Sequence, residues 1–197
     1  MKESKFWIWF IPLFAILCVG IYILVSNANK SNMNHTETVV ENQDAKTIKE
    51  SYEKLNDESI KVQLSENNSY VLVDKESIEK VFNTNGIIYF GEVSSYASRK
   101  NVSLLNDVVS STSVSKIYYI NIANVDDDFM SYLLNKLNVK KINAGDTYLI
   151  KDNNVIHSIL AKDYDNDNEF TEKEKESLLN EYQEKILDLI EKCDESC

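Results

Sequence analysis

The amino-acid sequence predicts an α/β fold, in which a central mixed β-sheet has helices on both faces, preceded by one transmembrane helix. The first observation is the apolar run of residues 87–90, which is typical of a buried strand and leads through Gly91 into a segment with helical spacing. The second is the order of elements after residue 86, namely strand, helix, strand, helix, two strands and helix. The third is the uncharged run of residues 6–25.

Residues 6–25 are long enough to cross a bilayer as one helix, since each residue adds about 1.5 Å. Lys2 and Lys5 precede this run, which predicts a cytoplasmic N-terminus at residues 1–5 and a body outside the cytoplasm. A cleaved signal peptide is the alternative, because small residues follow at 26–28. The apolar run exceeds the roughly 7–15 residues of a typical signal, which favours an uncleaved, single-pass membrane anchor.

The remaining chain divides into a tether and one domain. Residues 26–46 are polar and lack apolar periodicity, which predicts a flexible tether, and residues 47–197 then form the domain. The whole chain carries a formal net charge of −11 at pH 7. Because phosphate binding requires clustered Lys and Arg, this acidic composition argues against nucleic acid as a partner.

Within the domain, periodicity and turn signals predict each element. Apolar residues three or four apart indicate helices, whereas alternating apolar and polar residues indicate strands. Residues 151–154, with the sequence Lys-Asp-Asn-Asn, favour a tight hairpin, since Asn accepts a positive φ. The predicted elements are a helix at 47–55, strands at 60–64 and 70–73 that form a hairpin at the sheet edge, a helix at 77–82, a strand at 87–90, a helix to about 110, a strand at 116–122, a helix after 126–128, strands at 146–151 and 155–161, and a helix at 171–193.

The turn after the first central strand carries two serines. Residues 95–99 are serine, tyrosine, alanine, serine and arginine. Together with residues 87–91, this segment resembles the active-site segment of thioredoxin-fold proteins, in particular small cell-envelope members from Gram-positive bacteria. In that family a Cys-x-x-Cys pair lies at the start of a helix, whose dipole lowers the thiol pKa. The resemblance covers about residues 50–192 and implies a thioredoxin-like fold with Ser95 and Ser98 at the redox positions.

A second match lies at residues 142–152, which resemble the family's strand that carries a cis-proline beside the active site. Thr147 is kept, but Asp146 occupies the proline position, and we expect its peptide bond to be trans. The resemblance places a peptide-binding groove between the two segments. Its predicted members are Tyr96, Ala97, Asp146 and Thr147.

Serine cannot form or exchange a disulfide, because that chemistry requires sulfur. The sequence therefore predicts a membrane-anchored, extracytoplasmic thioredoxin-like domain that binds a protein or peptide as an accessory factor in the cell envelope. Neither a catalytic residue nor a cofactor is expected. Serine hydrolysis is excluded because the chain's histidines, His35 and His157, lie in the tether and in a strand, and no nucleophile elbow is present. Ser94 or Ser95 is instead expected to cap the helix.

Thiol–disulfide oxidoreductase activity is an alternative function, and it would require Cys193 and Cys197. These two cysteines lie at the C-terminal end of the last predicted helix, where the dipole does not lower a thiol pKa. The third cysteine, Cys18, lies in the apolar N-terminal run. No cysteine is therefore placed where the family carries its reactive pair.

A calcium-binding structural module is the other alternative. Residues 163–174 resemble an EF-hand loop, with acidic residues at loop positions 1, 3 and 5 and Glu at position 12. Asn168 occupies the position of the turn glycine, and a strand precedes the loop instead of a helix. The competing interpretation is a capping box from Thr171 to Glu174. The candidate calcium ligands are Asp163, Asp165, Asp167, Glu169 and Glu174.

Overall fold

A computed structural model of the protein describes residues 42–57, 60–161 and 170–192. The described elements are α1 (Gln43–Glu53), β1 (Tyr70–Leu72), α2 (Ile78–Phe82), β2 (Gly86–Gly91), α3 (Tyr96–Ser110), β3 (Ile117–Asn121), a short 3₁₀ turn (Ile122–Asn124), α4 (Asp127–Leu137), β4 (Thr147–Lys151), β5 (Asn154–Ile159) and α5 (Glu172–Lys192). The predicted anchor at 6–25 lies outside the described residues. Within them, no helix combines the length and apolar character that membrane crossing requires.

The five strands form one sheet in the order β1-β3-β2-β4-β5. β1 and β2 both run parallel to β3, whereas β4 is antiparallel to β2 and to β5. The predicted central mixed sheet is therefore confirmed. β2 lies at its centre, so its residues are buried on both faces, as the apolar run of 87–90 indicates.

The predicted hairpin between residues 60–64 and 70–73 is wrong. β1 pairs in parallel with β3, and residues 60–64 belong to no strand. The side-chain amide of Asn56 replaces a strand partner: its Oδ1 accepts the N–H of Val62 at 2.8 Å, and its Nδ2 donates to the Val62 carbonyl at 2.8 Å. Ile60, Val62 and Leu64 alternate because their side chains enter the core, not because they pair in a sheet.

Helices cover both faces of the sheet and define two cores. On the first face, α1, α3 and α5 pack on the sheet through residues such as Tyr52, Leu105 and Ile186. On the second face, α2 and α4 pack through residues such as Phe82 and Leu133. The domain thus has three layers, with the sheet between two layers of helices.

Local signals explain most element ends. α1 begins at Gln43, earlier than the predicted residue 47, because the Asn42 side chain accepts the N–H groups of Asp44 and Ala45 as an N-cap. The tight turn between β4 and β5 is confirmed, since Asp152 and Asn153 have φ values of 49° and 64°.

Candidate functional site

Ser95 is the N-cap of α3. Its backbone is extended, and its side-chain oxygen accepts the N–H of Ser98 at 3.4 Å. This confirms the predicted cap and explains why the chain leaves β2 and begins a helix at Tyr96. Tyr96 itself is exposed over 42% of its surface.

Ser98 has a different role, because it is fully buried. Its Oγ accepts the N–H of Glu92 at 3.1 Å and lies 2.5 Å from the Tyr52 hydroxyl and 3.1 Å from the Tyr89 hydroxyl. The Tyr89 hydroxyl also donates to the Ser98 carbonyl at 2.8 Å. Ser98 therefore joins β2, α1 and the start of α3 by neutral hydrogen bonds.

The hydroxyl contacts continue into the first core. The Tyr52 hydroxyl lies 3.1 Å from that of Tyr119, and the Tyr70 hydroxyl donates to the Val102 carbonyl at 2.7 Å. Burial raises the pKa of Tyr52 to about 12 and also raises the pKa of Tyr89. These phenols therefore keep their protons at neutral pH and remain able to donate.

Gly91 makes room for this hydroxyl network. A Cβ atom on Gly91 would lie 2.1 Å from Cε2 of Tyr119, which is far inside van der Waals contact. Gly91 is therefore needed because it leaves space for the Tyr119 ring. Its own φ is not positive, whereas that of Gly145 is. The sequence indicated only a turn at this position.

Asp146 is fully buried and holds its neighbours through its carboxylate. One oxygen accepts the N–H of Asn143 at 2.8 Å, and the other accepts the N–H of Ala161 at 2.7 Å. The Asp146 carbonyl also accepts the N–H of Phe90 at 2.9 Å. Burial raises the pKa of this carboxyl group, although the two N–H donors oppose the shift. No described peptide bond is cis, as predicted for Asp146.

The structure brings the two matched segments together. Gly145 has a φ of 94°, and a Cβ atom there would lie 3.2 Å from the carbonyl carbon of Ala97. The loop before β4 therefore rests against the first turn of α3, as the resemblance implies. Thr147 is buried, with its hydroxyl 3.3 Å from that of Tyr182. Of the four predicted groove residues, Tyr96 is exposed, Ala97 is half-buried, and Asp146 and Thr147 are buried.

The Arg99 side chain hydrogen-bonds to backbone carbonyls of the chain around the end of α1. Its guanidinium group donates to the carbonyls of Leu55 at 2.7 Å and Ile60 at 2.9 Å, with a longer contact to the Tyr52 carbonyl. Arg99 therefore fastens the chain that follows α1 to α3. The resemblance at residues 95–99 did not predict these hydrogen bonds.

The capping box is present at the start of α5. The Glu174 carboxylate accepts from the N–H and hydroxyl of Thr171, at 2.9 and 2.8 Å. The other four candidate calcium ligands lie outside the described residues, and within those no group of three or more His, Cys, Asp or Glu could hold a metal ion. Calcium binding stays a prediction. Cys18, Cys193 and Cys197 also lie outside the described part.

His157 is the one histidine in the described part, and it hydrogen-bonds to Asp188 of α5 through Nε2. His157 thus has its described partner on α5, and no described hydrogen bond links it to Ser95 or Ser98.

The strand order, the strand directions and the helix that starts after β2 define a thioredoxin-like α/β domain. Comparison with models of protein families finds no match, and comparison with curated proteins finds none either. Solved structures with similarity include a protein described as having a thioredoxin fold, which is 13% identical with a TM-score of 0.43 over 48% of this chain and 85% of its own. Trxlp from Edwardsiella tarda EIB202 is 7% identical with a TM-score of 0.40, over 58% of this chain and 98% of its own. Thioredoxin from Aeropyrum pernix is 11% identical with a TM-score of 0.37, over 48% and 78%.

Proposed function

We propose that this chain is a membrane-anchored, extracytoplasmic thioredoxin-like protein that binds a protein or peptide segment and carries out no thiol–disulfide exchange at residues 95–98. The observation that carries the proposal is the use of Ser98. Its oxygen is buried against Tyr52, Tyr89 and the Glu92 N–H, so it serves the fold instead of facing a substrate. The anchor is proposed from the uncharged run at 6–25.

The rim of the junction supplies the proposed binding surface. Tyr96 at the start of α3 is 42% exposed, and Leu160 after β5 is 57% exposed. Leu160 precedes Ala161, whose Cβ lies near Gly145 and hence near Ala97. Exposed aromatic and aliphatic side chains are the groups that anchor a peptide, while buried Asp146 would support them from below.

Redox turnover is tested by insulin reduction with the full-length protein in detergent micelles and dithiothreitol as reductant. We expect the rate to equal that of dithiothreitol alone, because the proposed binding site contains no sulfur. The matched control is Cys193→Ser, which should change nothing. Turnover that this substitution abolishes would establish the oxidoreductase alternative and overturn the proposal.

Peptide binding is tested on an array of immobilised peptides of about 12 residues, probed with the same full-length protein. Tyr96→Ala should weaken binding roughly tenfold, which corresponds to ~1.4 kcal/mol. Leu187→Ala is the control, since Leu187 is similarly exposed but lies on α5. Equal losses in the two variants, or none in Tyr96→Ala, would contradict a binding site at this rim.

A further inference from the structure

A cleft of about 210 Å³ lies beside α3 and concentrates positive charge. Lys61 from the chain before β1, Lys100 from α3 and Lys175 from α5 line it, and Glu172 is the acidic residue among its described lining. Among the described lining residues, the exposed lysines Lys61 and Lys175 lie beside the single carboxylate of Glu172, whereas the ammonium group of Lys100 is already engaged with the Phe170 ring. The whole chain carries −11, so this cleft opposes the general sign of the molecule.

The floor of the cleft is apolar. Ile60 and Leu104 are buried there, and the Phe170 ring lies with the ammonium group of Lys100 5.6 Å from its centroid. Lys100 is buried, whereas Lys61 and Lys175 are exposed at the rim. An apolar floor with cations at its edge suits a carboxylate that ends a short aliphatic chain, because the methylenes and the charge are both accommodated.

The cleft shares a face of α3 with the proposed binding surface. Tyr96, Lys100 and Ser103 are spaced i, i+4 and i+7, and such residues lie above one another on one side of a helix. Lys100 and Ser103 line the cleft, and Tyr96 stands about one helical turn, or roughly 5.4 Å, before Lys100. A segment that covers Tyr96 can therefore continue directly into the cleft.

We propose that the segment bound by this protein is acidic, with an apolar or aromatic side chain on Tyr96 and an Asp or Glu side chain in the lysine cleft. This inference rests on the proposed peptide-binding function and names the chemical class of the partner. The supporting argument is charge complementarity. Because the chain as a whole carries a net charge of −11, an acidic segment gains most where lysines are exposed, and the position of Lys61 and Lys175 beside Tyr96 favours one register.

The test uses two synthetic fluorescent peptides that share one sequence around a central Phe and differ only in two Glu residues replaced by Gln. Anisotropy titration with the full-length protein in neutral detergent should give at least ~10-fold tighter binding of the Glu peptide. That advantage should shrink as salt increases, since screening weakens exposed charge pairs. Lys61→Glu and Lys175→Glu should each remove most of it, whereas Lys140→Glu, at an exposed lysine after α4, should not.

The outcomes separate this inference from the proposed function. If both peptides bind equally and Tyr96→Ala weakens both, peptide binding stands and the acidic preference is overturned. If neither peptide binds, the proposed function fails and the inference fails with it. If carboxylates of this chain already occupy the cleft, Lys61→Glu and Lys175→Glu will not change the affinity for the Glu peptide. That result also overturns the inference. Lys61 and Lys175 are exposed and lie on separate parts of the chain, so the two variants test it independently.

Discussion

The two faces of strand β2 are built from different interactions. Tyr89 points into the first core, where its hydroxyl hydrogen-bonds to Ser98 and its ring contacts those of Tyr70 and Tyr119 at centroid distances of 5.7 and 5.9 Å. Phe90, the next residue, points into the second core, where its ring meets that of Tyr148 edge to face at 5.6 Å. The first face therefore adds hydroxyl hydrogen bonds to its apolar packing, whereas the contact of Phe90 on the second face is apolar.

The difference lies in how the buried tyrosine hydroxyls are satisfied. On the first face, the hydroxyls of Tyr52, Tyr70, Tyr89 and Tyr119 all have partners. On the second face, no described residue offers a hydrogen-bond partner to the buried hydroxyl of Tyr148. The hydroxyl network surrounds Ser98, the second of the two serines at the start of α3. The Ser98 side chain is thus held in the core by hydrogen bonds, whereas the Tyr96 side chain is exposed at the surface.

Ser98→Ala gives the largest expected effect on this comparison. It removes the oxygen that meets Tyr52, Tyr89 and the Glu92 N–H, so buried donors lose their acceptor. We expect the free energy of unfolding to fall by about 1–3 kcal/mol in urea titrations followed by circular dichroism.

Ser94→Ala is the matched control for Ser98→Ala, because the hydrogen bond described for the Ser94 hydroxyl, to the Glu92 carboxylate, lies at an exposed position. Its effect should stay within about 0.5 kcal/mol. Equal stabilities for the two variants would mean that the network around Ser98 does not stabilise the fold, and the contrast between the faces would disappear.

Asp146, which lies next to β4, provides a pH-dependent test. Burial raises the pKa of its carboxyl group above the ordinary 3.8, so the folded state binds a proton more readily than the unfolded chain. Its contribution to stability is therefore full below pH 3.8 and is lost as the pH rises through the folded-state pKa. Each unit of pKa shift corresponds to ~1.4 kcal/mol.

The measurement is the difference in unfolding free energy between the unsubstituted protein and Asp146→Asn, which cannot titrate, from pH 3.5 to about 7. We expect this difference to decrease as the pH rises. An increase with pH would show instead that the N–H groups of Asn143 and Ala161 favour the carboxylate more than burial disfavours it.

Local patterns predicted the parts of this fold that depend on near neighbours. The cap at Ser95, the turn at Asp152 and Asn153 and the apolar run of β2 all follow from residues a few positions apart. The failed hairpin at 60–64 also obeys a local pattern, but the alternation there reflects burial. Its backbone is satisfied by the Asn56 side chain, which no strand signal indicates.

The site could be predicted only in outline. The sequence predicts a cap at Ser94 or Ser95, but it does not indicate that Ser98 is buried beneath three groups. This burial arises from Tyr52, which is 46 residues from Ser98, and from the packing of Tyr119 over Gly91. A clue was available in Tyr70, Tyr89 and Tyr119, which lie in three apolar strands, since a buried phenol requires a partner.

The smallest expected effects are the most discriminating, because they compare one chemical change on the two faces. Tyr70→Phe removes the hydrogen bond to the Val102 carbonyl and should lower the unfolding free energy by about 1 kcal/mol. Tyr148→Phe removes a hydroxyl that has no described partner, so stability should change by less than about 0.5 kcal/mol or increase slightly. Both variants keep the ring and its packing, so urea titrations compare the hydroxyl groups alone. If Tyr148→Phe costs as much as Tyr70→Phe, the second face also depends on a hydroxyl contact, and the tyrosines around Ser98 are not specific to the junction.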